Sequence, residues 1–343
     1  MRAEKKVIGD LTLCYCVFPL TVDGKQCYAV ASEKEYACLL FDEKGNQIDK
    51  IWDGPGGTMS AVQLPGHDAA FFATHRMYSP NNCKESDIVL CWKEDGQWKV
   101  KTIAHLPGVH RFDILTRNGV DYLIACTIKS DYEYKDDWRF PGKVWACELP
   151  ANLMDLPEGE YLPLKAVREG MLRNHGYSRK AGCGIVTSEE GVFRFTPPAT
   201  PDGEWNIEQL LNEATSDALL LDFDGDGEDE LLTLSPFHGD TLRVFKMVDG
   251  EFEKVYEMEQ KIPFAHAICA AELNNRPFAV IGFRKGDRDL LAVRYTENGY
   301  LTEQLDHDVG PANVLSYERD GDTVILSANR EINEIACYII REE

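Results

Sequence analysis

Basic side chains are in short supply in this chain of 343 residues: 36 Lys and Arg stand against 58 Asp and Glu, a formal net charge of −22. Such a field repels phosphate backbones and anionic lipid, which excludes nucleic acid and membrane surfaces as general partners. No apolar stretch approaches the ~20 residues that a membrane span needs. The first ten residues, MRAEKKVIGD, carry charge but no apolar run. Paired cysteine motifs are also missing. The 11 cysteines are odd in number, include no CxxC, and mostly sit inside apolar runs such as 37–41. They read as buried free thiols, which fits a reducing, cytoplasmic setting. Absent too are a Gly-x-Ser-x-Gly elbow, a Walker loop, a GxGxxG after a strand and a His-Glu-x-x-His helix. The Gly-Pro-Gly-Gly at 54–57 is too short to cradle a phosphate.

Helical periodicity is scarce as well. Two stretches, 151–156 and 207–214, read as short helical turns in connections. What fills the chain instead is runs of four to eight residues rich in Val, Ile, Leu, Phe, Tyr and Cys, divided by Gly, Asp, Asn and Pro. Runs at 26–32, 69–74, 88–92, 122–127, 231–234, 278–282 and 324–328 show the pattern. With 44% hydrophobic residues the chain has ample material for a core. The class is all-β.

These runs fall into groups of four that open near residues 14, 60, 110, 175, 217, 266 and 313. A four-strand unit recurring every 40–50 residues or so is the mark of propeller blades. One interval, from 110 to 175, is longer because it holds an insertion at 130–142. The seventh group has room for three strands, and the leading segment 5–11 is an orphan. Pairing it as the outer strand of blade seven closes the ring and removes an open sheet edge. The expectation is one seven-bladed β-propeller over residues 1–343. A pair of β-sandwiches is the competing arrangement, and no Pro/Ser-rich linker supports it.

Between the first two strands of blade five, Asp222, Asp224, Asp226, Glu228 and Glu230 alternate around Gly227. Alternate carboxylates on a tight turn converge on one hard cation, and the glycine permits the bend. The segment resembles the aspartate loop of FG-GAP/VCBS-type β-propeller repeats, which implies a structural Ca²⁺. The bland reading is an acidic, solvated turn.

In a propeller, the starts of the innermost strands share one face with the loops joining second to third strands, and both surround the axis. Of the eight histidines, His110, His175 and His266 stand at inner-strand starts, and His75 and His238 in second-to-third loops. Any one of them is most simply an ordinary hydrogen-bonded histidine. Together they fit a divalent ion (Mn, Zn, Ni or Fe) held on the axis by His110, His175, His238 and His266. Cationic and polar residues map to the same face. Arg111, Lys129, Tyr177 and Arg284, with His75 as base, are candidates for catalysis. Arg76, Asn174, Lys285, Asn313 and Arg330 are candidates for holding substrate. Tyr134 and Trp138, in the insertion, would form an aromatic wall over the site. Solvated loop charges are the ordinary alternative for each cation.

The layout also resembles the propeller sugar lyases, namely oligogalacturonate lyase and the propeller part of aldos-2-ulose dehydratase. That likeness implies a metal-dependent lyase or isomerase acting on a small carbohydrate, anionic or keto, through a metal-stabilised enolate. A non-catalytic binding or interaction propeller is the main rival. A metal-assisted hydrolase of glycosides or esters is a third reading.

Overall fold

The computed structural model describes residues 1–157 and 159–342. Among them it holds seven four-stranded antiparallel sheets arranged as a ring of blades. Six blades take their strands in chain order from the axis outward, with inner strands Cys14–Val22, Ala61–Gln63, Val109–Arg117, Tyr177–Lys180, Asp217–Leu221 and Ala265–Leu273. Blade seven runs Asn313–Arg319, Asp322–Asn329, Glu334–Arg341, and its outermost strand is Arg2–Asp10 from the other end of the chain. Arg2 pairs with Arg341 and Asp10 with Glu334, so closure by both chain ends is as expected. The closing strand starts three residues before the predicted 5–11 and ends at Asp10.

The apolar runs follow from the stacking of blades. A second strand is buried on both faces, so both sets of alternating side chains must be apolar. In Arg276–Phe283 of blade six, Phe278 and Val280 pack with residues of blade seven. The intervening Ala279 and Ile281 pack with residues of blade five. Among the described residues the core divides into seven such clusters, one per blade–blade interface. Outer strands are solvated; Glu251–Glu257 keeps no residue fully buried.

One secondary-structure expectation is overturned. Residues 207–214 are not helical: Asn206–Leu211 is the outer strand of blade four. Val192 pairs with Leu211 and Phe193 with Gln209, which leaves Leu210 as a bulge. That extra residue sets Ile207, Leu210 and Leu211 at the i, i+3, i+4 spacing of an amphipathic helix. The other turn is present as a 3₁₀ segment, Leu153–Asp155. Among the described residues no helix is long and apolar enough to cross a membrane.

Candidate metal centre on the propeller axis

The axial residues are aimed by irregularities in the inner strands. In blade one Cys14 pairs with Ser32 and Cys16 with Ala31, leaving Tyr15 as the extra residue. In blade three Val109 pairs with Thr127 and Arg111 with Cys126, leaving His110. Blade six repeats the device: Ala265 pairs with Phe283 and Ala267 with Gly282, leaving His266. A bulge frees a residue from the ladder and turns its side chain. In blade four the site residue, His175, precedes the inner strand. Gly176 follows it where the backbone presses on blade five; a Cβ there would lie 2.5 Å from the Ser216 carbonyl oxygen.

The ring nitrogens of these histidines are sorted by their partners. His266 Nδ1 lies 2.6 Å from the Ala312 carbonyl oxygen, and His110 Nδ1 lies 3.0 Å from that of His175. His175 Nδ1 lies 3.0 Å from Asp217 Oδ2, a carboxylate that also accepts from Ser216 Oγ at 2.8 Å. Carbonyl and carboxylate oxygens only accept, so all three Nδ1 atoms carry the hydrogen. With the hydrogen on Nδ1, the rings of His110 and His266 turn their Nε2 atoms toward Tyr15. The inner partners are few. Tyr15 Oη is 3.0 Å from His266 Nε2 and 3.5 Å from His110 Nε2, and one hydroxyl hydrogen cannot serve both.

His238 completes the group from the loop between the second and third strands of blade five. Its Nε2 lies 3.3 Å from His175 Nε2. His175, His238 and His266 offer ligand atoms within 4.8 Å of one another. A tetrahedral ion with M–N bonds of about 2.0–2.1 Å sets its ligand nitrogens about 3.3 Å apart. His110 stacks on His175 with ring centroids 4.5 Å apart and stands beside this trio. Burial holds His110, His238 and His266 well below the ordinary histidine range, and the neighbouring cationic groups add to it. They therefore stay neutral, as a metal ligand must be. Burial pushes the Asp217 carboxyl up, but the facing His175, Arg111 and the Ser216 hydroxyl together hold it below the usual range.

The rim differs from the bare cationic collar that the sequence suggested. Arg284 Nε donates to Glu331 Oε1 at 2.8 Å, and Arg330 bonds Glu33 and Glu331. Arg173, absent from the expected set, pairs with Glu189 at 2.6 Å, and Arg76 with Asp87 at 3.3 Å. Lys129 is buried; its Nζ donates to the Asp137 carbonyl at 2.6 Å and lies 4.0 Å from the Trp138 ring centroid. Burial lowers its pKa. Lys285 is exposed over Phe264. Arg111 donates to neutral acceptors, the Met59 carbonyl and Asn313 Oδ1. Among the described residues no carboxylate pairs with Arg111, Lys129 or Lys285.

Aromatic rings pack around His238. His238 lies between Phe237 and Phe264, at centroid distances of 3.9 and 4.2 Å. Trp138 meets Phe237 edge-on at 5.4 Å, so the insertion does reach the rim. Tyr134 does not join it and is 57% exposed.

Four further expected residues stand apart from the trio. His75 is buried edge-on to Trp52, with no partner for Nε2 among the described residues. Tyr177 lies between blades three and four, packed with Leu115, Cys126 and Phe193. Its position two residues after His175 carries it down the strand and away from the ring nitrogens. Asn174 is buried and donates to the Lys143 carbonyl at 3.1 Å. Asn313 bridges Arg111 and the Tyr15 carbonyl oxygen.

Two residues that matter, Tyr15 and Asp217, were not singled out from the sequence. Both occupy, in blades one and five, the inner-strand start that a histidine fills in blades three, four and six. Reading by position in the repeat rather than by residue type finds them.

The aspartate loop lies at the opposite end of blade five, between Asp217–Leu221 and Glu230–Ser235. Oxygens of Asp222, Asp224 and Asp226 lie within 4.8 Å of one another, Glu230 is buried, and Glu228 is exposed.

Fold and site together define a seven-bladed β-propeller with a histidine-lined axis. The sequence matches no protein-family model and no curated protein. Among solved structures the chain is similar to the β-propeller domain of Cps50 (Swd1) from Myceliophteria thermophila. The TM-score is 0.63 at 9% identity, over 98% of this chain and 100% of that one. At that identity the likeness shows the fold alone.

Proposed function

We propose that His175, His238 and His266 hold a divalent transition-metal ion and that the chain is a carbohydrate lyase or isomerase built on it. One observation carries this reading: Nδ1 of His175 and of His266 is tied to an acceptor-only oxygen, which turns their lone pairs toward His238 and the axis. Ligand histidines are oriented this way by outer partners. When bound, such an ion polarises a carbonyl or carboxylate oxygen and stabilises the enolate that forms next to it. The chain's own groups supply the rest. Arg111 brings a positive charge to the axis without a carboxylate partner, which suits an anionic or keto-sugar ligand. Tyr15 Oη holds its proton at His266, burial having pushed its pKa up to about 12. Phe237 and Phe264 pack against His238, and Trp138 packs against Phe237, which gives that side of the trio an apolar wall.

A second reading rests on the depth of the trio: His175 is 1% exposed and His266 2%. An ion there would pin blades four, five and six together in a non-catalytic propeller. Two measurements decide. Metal analysis of purified protein is expected to give one Mn, Zn, Ni or Fe per chain, lost in His175→Ala and His266→Ala. Incubation of the loaded protein with uronates and keto-sugars in D₂O is expected to place deuterium next to the carbonyl. Metal without deuterium uptake leaves the structural pin. No metal after loading overturns both.

A further inference from the structure

The aspartate loop of blade five already contains a cation, and it belongs to the chain. Lys246, on the third strand Thr241–Val248, extends its ammonium into the loop. Its Nζ lies 2.5 Å from Asp224 Oδ2, 2.7 Å from Asp226 Oδ2 and 3.3 Å from Glu230 Oε1. A calcium ion would sit 2.3–2.6 Å or so from the same oxygens. The two cations compete for one position.

The other oxygens are also accounted for. Asp222 Oδ1 accepts from the Gly225 amide at 2.7 Å and Oδ2 from the Gly227 amide at 3.0 Å. Asp224 Oδ1 accepts from the Asp226 amide at 3.2 Å, and Asp226 Oδ1 from the Glu228 amide at 2.9 Å. Glu230 Oε2 accepts from the Phe223 amide at 2.7 Å. Seven of these eight oxygens therefore lie within 3.2 Å of a donor of the chain itself, either a backbone N–H or the Lys246 ammonium. The buried Glu230 Oε1 makes no hydrogen bond among the described residues and has only the ion-pair approach of Lys246 at 3.3 Å. Asp229, next to the set, is held by Lys180 of blade four at 2.5 Å. The loop is closed, and a metal would have to displace the lysine first. Hydrogen bonds to Asp224 and Asp226 raise the Lys246 pKa, so the ammonium stays charged throughout the physiological range.

We propose that Lys246 is the resident cation of this loop: the loop is calcium-independent as built, and deleting the ammonium turns it into a calcium site. In Lys246→Met the Oδ2 atoms of Asp224 and Asp226 and Oε1 of Glu230 lose their common partner. Their mutual repulsion is then relieved by a hard divalent ion, with oxygen ligands already gathered.

The test is calorimetric titration with CaCl₂, together with thermal denaturation in EDTA and in excess calcium. Wild type is expected to show no saturable calcium heat and the same Tm in both conditions. Lys246→Met is expected to melt lower than wild type in EDTA and to recover with calcium, with a Kd of order 10⁻⁶–10⁻³ M. Adding Asp224→Asn to that variant should remove the response. Stoichiometric calcium binding by wild type that Asp224→Asn abolishes would overturn the proposal. So would a Lys246→Met protein whose Tm ignores calcium. If Lys246→Met is recovered folded from calcium-containing buffer alone, the proposal stands. Axial-metal content plays no part in these readouts, so their outcome is separable from that of the axial site.

Discussion

His75 offers a quantitative check on how this face is built. Its ring is 4% exposed, lies edge-on to Trp52 at 4.7 Å, and its Nε2 has no partner among the described residues. Burial, aided by the adjacent Arg76 charge, lowers its pKa from 6.5 to about 4. A base depressed in the folded state binds its proton earlier in the unfolded chain. The stability it allows is therefore intact above about pH 6.5 and lost as pH falls toward 4. Between pH 7 and pH 5 this one group accounts for a loss of about 2 kcal/mol, and for roughly 3 kcal/mol once pH is below 4. His75→Met keeps an apolar body of similar volume and cannot be protonated. Urea denaturation of both proteins at pH 7 and pH 5 isolates the term, because the axial histidines contribute to each and cancel in the difference. The variant should lose about 2 kcal/mol less stability between the two pH values. An identical pH dependence in the two proteins would refute the reasoning.

Two other expectations follow from partners described above. Asp217→Ala removes the acceptor that fixes His175 and should weaken axial metal binding about 10–100-fold, with Asp217→Asn in between. Competition with a chromophoric chelator measures this, and unchanged affinity would remove Asp217 from the site. Deleting residues 2–10 strips blade seven of its outer strand, breaks the Lys5 contacts to Asp306 and Glu334 at 2.9 and 2.7 Å, and exposes the edge Glu334–Arg341. A lower Tm with concentration-dependent association on size exclusion is expected; a monomer that melts like the full chain would show that closure is dispensable.

The blade period was legible because second strands buried on both faces leave unbroken apolar runs such as Phe278, Ala279, Val280 and Ile281. Closure was legible because blade seven lacked one strand and the N-terminus supplied a spare. Four histidines could be placed near the axis from their position in the repeat alone. Other features left no trace in the pattern. A bulge changes pairing by one residue without changing composition, so the aiming of Tyr15, His110 and His266 was invisible, and the bulge at Leu210 imitated a helix. Ion pairs between blades, such as Arg330 with Glu33, join residues far apart in the chain. For the same reason the cationic collar looked less compensated in sequence than it is. Lys246 lies sixteen residues beyond Glu230, and its reach back to the loop depends on strand register.

The three bulges have one more implication. Tyr15, His110 and His266 each occupy a position that the hydrogen-bonded ladder skips, so strand pairing does not depend on which side chain stands there. The side chains presented to the axis and the cohesion of the blades are thereby carried by different atoms of the same strands. Such a ring can exchange one side chain for another at these positions while its architecture persists, which makes the axis of this protein open to redesign.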